Sequence, residues 1–394
     1  MIALRGKATS DPLAEVPIRP VWRLTDDRSL SPERGKRAFI SDGSTTLPEG
    51  FDLYLLRSDA EDPHIPNAIR LPPELDYLGR NDVIAVSDDG LRIRVLWRHQ
   101  SHQNSILLTE RCNHYCLMCS QPPKTAIDDH LLAQASELIR ILPRDVAEIG
   151  FTGGEPTIYG DDLIDLLRLC RNLHPEAQVH VLSNGTRFAD PQFAAAWASI
   201  DNPNMMVGIP IYGAEPARHD YVVQAKGAFN ETIPGILNLA QLGQRIEIRV
   251  VLHKQTAPAL PEIAEFIARN LPFVDQVALM GLEMIGLARA NIPELWIDPT
   301  EYADELVEAV SLLDRSRINT MIYNHQLCLI PRSVWPWTVR SISDWKNEYH
   351  PECGKCSVRD RCGGFFFSAK YKVSENVKAI LDSDPMTPAA VLSV

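Results

Sequence analysis

Residues 104–120 read NSILLTERCNHYCLMCS, an apolar run that ends in three cysteines, Cys112, Cys116 and Cys119, spaced C-x3-C-x2-C. The run has the length and aliphatic content of a buried strand, and the cysteines follow on the loop beyond it. The same arrangement recurs downstream. Strand-like runs stand at 147–155 (AEIGFTGGE), 177–185 (AQVHVLSNG), 205–213 (MMVGIPIYG), 245–253 (RIEIRVVLH) and 275–283 (DQVALMGLE). Between them lie helical stretches such as 130–142, 161–173, 229–243 and 260–271. In the second of these, Leu163, Leu166, Leu167 and Cys170 fall on one face behind a pair of leading acids, Asp161 and Asp162. Strand then helix, repeated six times over 104–283, predicts an α/β fold with a parallel sheet covered by helices, a partial (β/α)6 barrel.

In such barrels chemistry gathers where the strands end. Here the first strand runs into Cys112, the second ends in Thr152-Gly153-Gly154-Glu155-Pro156, and the third in Ser183-Asn184-Gly185. The fourth ends at Tyr212-Gly213 and the sixth at Gly281-Leu282-Glu283. Every unusual residue cluster is therefore expected on one end of one barrel. Three thiolates are one too few for a closed tetrahedral zinc site unless His114 or His102 completes it. On a four-iron cluster they leave one iron open for another ligand.

The chain outside this region reads differently. Of 394 residues, 39 are Lys or Arg and 51 are Asp or Glu, a net charge of −12, which opposes a bulk electrostatic grip on nucleic acid. No run approaches the ~20 apolar residues of a membrane span, and MIALRGKATS lacks the apolar core of a signal peptide. A cytoplasmic protein is expected, acting without nucleic acid or membrane. In a reducing compartment the eight cysteines then point to metal or redox chemistry rather than to bridges. Residues 1–100 are expected to hold a loosely structured leader and a small β-rich unit. Its runs are FDLYLLRS, DVIAVSDDG and LRIRVLWR, the second ending in a hairpin turn at Asp88-Asp89-Gly90 that leads into the third. The barrel is assigned to 101–298, a cysteine-bearing extension to 299–375, and a flexible tail to 376–394.

C-x3-C-x2-C after the first strand and GGE after the second resemble the radical S-adenosylmethionine (SAM) superfamily, from about Asn104 to Met284. The resemblance implies that Cys112, Cys116 and Cys119 hold a [4Fe-4S] cluster with SAM on its open iron. It implies SAM contacts from Gly153, Gly154 and Glu155 to the amino group, from Ser183 and Asn184 to the ribose, and from Arg249 to the carboxylate. Met280, Gly281 and Leu282 would edge the adenine. The family usually carries an aromatic residue before the last cysteine; here it is Met118, which can still pack against an adenine or shield a cluster.

Cys353, Cys356 and Cys362, spaced C-x2-C-x5-C, resemble the auxiliary-cluster extension called SPASM, or its shorter twitch form. Cys328 is available as a fourth ligand, which implies one auxiliary [4Fe-4S] cluster; a four-cysteine zinc knuckle is the competing reading. Cys170 is left as core. Substrate-step candidates at the barrel mouth are Glu283 first and Asp220 second, with Tyr212, His219, Tyr221, Tyr323 and His325 behind them. Trp335, Trp337 and Trp345 are read as packing for the extension.

The segments 107–124, 150–161, 278–286, 323–328 and 341–366 together resemble the His-Xaa-Ser system radical SAM maturases, C member. That implies a ribosomally made partner peptide or protein with His-Xaa-Ser repeats, a second radical SAM maturase and an external electron donor. Two other readings stand beside it: a radical SAM enzyme for a small molecule or a folded protein, and a zinc scaffold without SAM chemistry. The N-terminal unit is expected to help recruit the peptide through an exposed strand edge.

Overall fold

The computed structural model describes residues 3–9, 21–30, 37–41, 46–60, 67–87, 89–340 and 348–381. Asp88, Trp345 and the tail beyond Leu381 lie outside the described residues.

The N-terminal strands are β1 (Arg5–Lys7), β2 (Trp22–Thr25), β3 (Arg37–Ile40), β4 (Tyr54–Leu56), β5 (Ala68–Arg70), β6 (Val83–Val86) and β7 (Arg92–Trp97). They form one mixed sheet in the order β1-β7-β6-β2-β3-β4-β5. The expected β6–β7 hairpin is there, antiparallel, with Gly90 at φ 72° in its turn. The leader is not loose throughout: three of its segments, β1, β2 and β3, join the sheet. These strands are three or four residues long, too short to show a period of two, and β2 and β3 are largely buried. Trp22, Leu24, Ile40, Leu53, Leu55, Ile69 and Leu71 form the core of this unit. Phe39, Phe51 and Tyr54 pack separately, with ring centroids 5.3–6.3 Å apart.

The second sheet is wholly parallel. It comprises β8 (Ser105–Leu107), β9 (Glu148–Thr152), β10 (Gln178–Leu182), β11 (Met205–Pro210), β12 (Arg245–Leu252), β13 (Gln276–Gly281) and β14 (Asn319–Tyr323), paired in chain order. The expected α/β barrel sheet is present and carries seven strands rather than six. β14, which sequence placed in the extension, pairs with β13 from Gln276↔Asn319 to Met280↔Tyr323. β8 and β14 are the two edges, so the barrel is open.

The helices are α1 (His130–Ile141), α2 (Asp161–Leu173), α3 (Pro191–Ala198), α4 (Pro216–Val223), α5 (Ala228–Gln241), α6 (Leu260–Asn270), α7 (Leu287–Ala290), α8 (Ile292–Leu295) and α9 (Ala303–Arg315). On α2 the residues Leu163, Ile164, Leu166, Leu167 and Cys170 are buried, each large aliphatic contributing about 1.5–3 kcal/mol. Cys170 is fully enclosed, as its place on the apolar face requires.

Strand alternation sorts the barrel into two surfaces. On β12, Ile246, Ile248, Val250 and Leu252 are buried in the main core, while Glu247, Arg249 and Val251 occupy the alternate, inward positions. The N-terminal unit is attached through the same core: Val21, Val83 and Trp97 pack in it, and the Arg23 guanidinium donates to Ile141 O at 3.2 Å. No helix among the described residues is long and apolar enough to cross a membrane.

Candidate active site

The loop after β8 is held from two sides. Asp128 accepts hydrogen bonds from Thr109 Oγ1 at 3.0 Å, Glu110 N at 2.5 Å and Arg111 Nε at 3.0 Å. Further on, Tyr115 N and Leu117 N donate to Val223 O and Val222 O of α4, and Leu287 N of α7 donates to Cys119 O at 2.8 Å. Asn291 adds a side-chain bond to Leu117 O at 2.9 Å. Met118 is buried with Tyr212, Val222, Val223, Ala288 and Leu295, so the loop is pinned by a hydrophobic plug between its last two cysteines.

The three cysteines line a cavity of about 590 Å³ that runs down the barrel interior. Gly153, Gly154, Ser183, Asn184, Arg249, Met118, Met280, Gly281, Leu282 and Glu283 share its wall, so nearly every residue singled out from strand ends meets there. Burial pushes the Cys112 thiol up to about 11 and the Cys116 thiol up to about 12, reinforced by the neighbouring cysteines and Glu155. Cys119 is also raised, chiefly by burial. Thiols in this state become thiolates only against a compensating cationic centre.

Gly153 and Gly154 are required by the fold before any ligand is considered. A Cβ on Gly153 would stand 2.6 Å from Thr109 O, and one on Gly154 2.0 Å from Arg111 O. The two strand-end loops cross backbone to backbone here, with Gly154 N donating to Thr109 O and Glu155 N to Arg111 O, both at 2.8 Å.

Glu155 departs from expectation. It is buried and is not among the residues lining the cavity. Its Oε1 accepts from Thr157 N, Thr157 Oγ1 and Ser183 Oγ at 3.0, 2.6 and 2.8 Å, and its Oε2 accepts from Asn184 N at 2.6 Å. Burial raises its pKa against these donors. The carboxylate thus positions Ser183 and Asn184, which do face the cavity. Asn184 in turn donates to Asn113 Oδ1 at 2.7 Å, tying the third strand end to the cysteine loop.

Arg249 lines the cavity and also has the internal partner that a buried strand arginine needs. It pairs with Glu247 through Nη1 and contacts Met280 Sδ at 3.0 Å. Glu283 is in the wall, as expected. Asp220 is not: its carboxylate accepts from Gly227 N at 2.6 Å and Phe229 N at 2.9 Å, joining the end of α4 to the start of α5. Both of its carboxylate oxygens are engaged by these backbone donors, away from the cavity wall.

Of the other candidates, Tyr212 lines the cavity and lies against buried His219, ring centroids 6.0 Å apart. Tyr221 is exposed and bonded to Glu294. His325 is buried and bonded to Tyr302 Oη at 2.8 Å. Tyr323 donates to Met321 Sδ at 2.9 Å.

Sequence reasoning missed the polar lining of the barrel itself. Glu148 on β9 and His180 on β10 face the cavity with Arg249, and buried Glu247 stands behind, 3.6 Å from His180 Nε2. Burial lowers the His180 pKa. The signal was a charged or imidazole residue at an inward strand position, the reasoning applied to Arg249 alone.

In the extension, Cys328, Cys353, Cys356 and Cys362 line one small cavity of about 10 Å³ together with Tyr349, Val358, Phe365 and Ile380. Cys328, which lies far from the other three in sequence, is thereby brought to them. Its thiol is raised by burial and by Cys362 and Cys353. Trp335 is buried beside this region and donates to Leu327 O at 3.1 Å, the packing role expected of it. Among the described residues no group of three or more His, Cys, Asp or Glu side chains closes on a point that a single metal ion could occupy.

Residues 106–267 match the Radical SAM superfamily model. The chain carries a radical SAM domain. The matched span contains Cys112, Cys116, Cys119, the GGE segment and Arg249, so a large part of the cavity wall belongs to that domain. GTP 3',8-cyclase of Paenarthrobacter nicotinovorans is 32% identical over 88 residues, 21% of this chain and 24% of that protein. Fe-coproporphyrin III synthase of Methanosarcina barkeri is 27% identical over 165 residues, 41% of this chain and 39% of that protein. The chain therefore spans well under half the length of these curated relatives. Among solved structures, anSMEcpe with bound AdoMet and Kp18Cys peptide superposes with a TM-score of 0.49 at 15% identity, covering 70% of this chain and 92% of that one. Streptococcus suis SuiB bound to precursor peptide SuiA gives 0.44 at 16% identity, over 55% of this chain and 48% of that one.

Proposed function

We infer that this radical SAM enzyme is a cytoplasmic maturase that modifies a ribosomally made peptide, one with His-Xaa-Ser repeats, using two [4Fe-4S] clusters, SAM and an external electron donor. The observation that carries the reading is the convergence of Cys112, Cys116 and Cys119 with Gly153, Gly154, Ser183, Asn184 and Arg249 on one cavity. The donor set fits the implied group: three half-buried thiols, each raised in pKa, on the wall of a space large enough for a second ligand. A [4Fe-4S] cluster held by Cys112, Cys116 and Cys119 would, once reduced by the external donor, supply the electron for reductive cleavage of SAM and so the radical chemistry for hydrogen abstraction.

The protein's own work is placement and exclusion of water. The cysteine loop, stapled to α4 and α7, fixes the three thiols. Ser183 and Asn184, held by Glu155, present hydroxyl and amide groups suited to a ribose. Arg249, braced by Glu247, presents a guanidinium suited to a carboxylate. Glu283 stands in the wall where a substrate proton can be received. Cys328, Cys353, Cys356 and Cys362 would hold a closed auxiliary cluster, in an extension that follows the barrel.

Co-expression with a His-Xaa-Ser repeat peptide, followed by mass spectrometry, tests the reading. A loss of two hydrogens is the signature of oxidation or crosslinking, and deuterium uptake in heavy water that of epimerisation. A peptide returned unchanged by both assays, from enzyme that still cleaves SAM, would shift the reading to a small-molecule or folded-protein substrate.

A further inference from the structure

The two edges of the open barrel are treated differently. At β14 the outer edge is covered: Ile322 bridges to Thr338, and Val339 N donates to Ile322 O at 2.9 Å. At β8, Gly150 N donates to Asn104 O and Leu108 N to Thr152 O, so the even-numbered residues turn their backbone groups toward β9. In a parallel pair, backbone groups alternate between the two sides of a strand. Ser105 and Leu107 therefore present N–H and C=O groups to the opposite side, where no strand among the described residues pairs with them. No lysine, proline or bulge blunts this edge, the usual protection of an unpaired strand.

The edge is part of the site. Asn104 and Ser105 line the 590 Å³ cavity, with Trp97 and Arg98 of the N-terminal unit on one side and Asn324, Glu283 and Phe366 also in the wall. A second, independent observation comes from Asn324, just beyond β14. It has φ 61°, a left-handed conformation unusual for a residue with a side chain, and its buried Oδ1 has no hydrogen-bond partner among the described residues. Its Nδ2 makes only a long 3.4 Å contact with Gly281 O. An acceptor and a donor on one planar amide match the donor and acceptor of a backbone peptide group.

We propose that the free edge of β8 is the substrate-docking rail: an extended segment of the target polypeptide adds to it as an eighth strand, through Ser105 and Leu107, with Asn324 as a side-chain clamp across the cavity. A row of alternating N–H and C=O groups is complementary to an extended polypeptide backbone, and this addition leaves alternate substrate side chains facing into the barrel. It rests on the peptide reading of function and moves peptide recognition from the N-terminal sheet to the barrel itself.

Proline suits the test, because at an edge position whose N–H points away from the sheet it removes the docking donor without breaking a ladder bond. Ser105→Pro/Leu107→Pro is expected to raise the KM for a His-Xaa-Ser repeat peptide at least about tenfold, the loss of one or two backbone hydrogen bonds, while iron content and Tm stay at wild-type values. A scan of single N-methyl groups along the same peptide is expected to weaken binding at alternate positions only. A proline variant that folds, binds iron and keeps its KM, or an N-methyl scan without a two-residue period, would overturn the docking rail while leaving the peptide reading intact. Wild-type enzyme that cleaves SAM but binds no peptide at all overturns the peptide reading, and the rail with it.

Discussion

The two cysteine sites use the same side chain in opposite settings. The first gathers three thiols from one short loop onto the wall of a 590 Å³ cavity, with polar and glycine-rich strand ends around them. The second gathers four, one of them from a distant segment, about a void of some 10 Å³ whose other neighbours include Val358, Phe365 and Ile380 and the cations Arg359 and Lys378. Fewer ligands and much open space suit a centre that takes a further ligand, whereas four ligands and almost no space suit one that only stores or passes charge. The distinction lies in the surroundings as much as in the ligand count.

Replacing Cys112, Cys116 and Cys119 together with Ala should do most to break this contrast. 5′-Deoxyadenosine formation is expected to fall to the no-enzyme level, and about four of about eight irons per chain to be lost. Cys328→Ala should remove a similar share of iron, yet 5′-deoxyadenosine should still form while modified peptide does not; chromatography of both products checks this. Gly154→Ala drives a Cβ into the backbone of Arg111 and should destabilise the protein by about 1–3 kcal/mol, read by thermal or denaturant unfolding.

Cys170→Ala serves as the contrast within the contrast. It is expected to leave iron content unchanged and to cost about 1 kcal/mol, since Cys170 is a small buried hydrophobe on α2.

The smallest effect concerns the barrel lining. The Glu148 carboxyl is held above its usual range by burial and then by Glu247. A carboxyl whose folded pKa is raised stabilises the fold while protonated and costs stability as pH rises through the folded value. Glu148→Gln should therefore raise Tm by about 1–2 °C at neutral pH, a gain that shrinks as the solution is acidified.

The parallel sheet was legible because its outward faces are continuous aliphatic runs and its strand ends carry the unusual residues. The seventh strand was not, because NTMIY precedes Asn324, His325 and Cys328 and so reads as the start of the extension. The leader strands β1 to β3 were too short to declare themselves. Motif position found the cavity wall but not the direction of each side chain. Glu155 and Asp220 look alike as acids near the mouth, yet one fastens a neighbouring strand end and the other fastens two helices. Deleting residues 1–95 is a poor probe of the N-terminal unit, since it also takes Val21 and Val83 out of the barrel core.

The contrast between an open and a closed site is tested most directly by Mössbauer spectroscopy of anaerobically prepared, iron-57-labelled protein with and without SAM. The expected result is about eight irons per chain in two four-iron clusters, with SAM altering a single iron of one cluster and none of the other. A colourless zinc protein, or a spectrum in which SAM alters neither cluster, would contradict it.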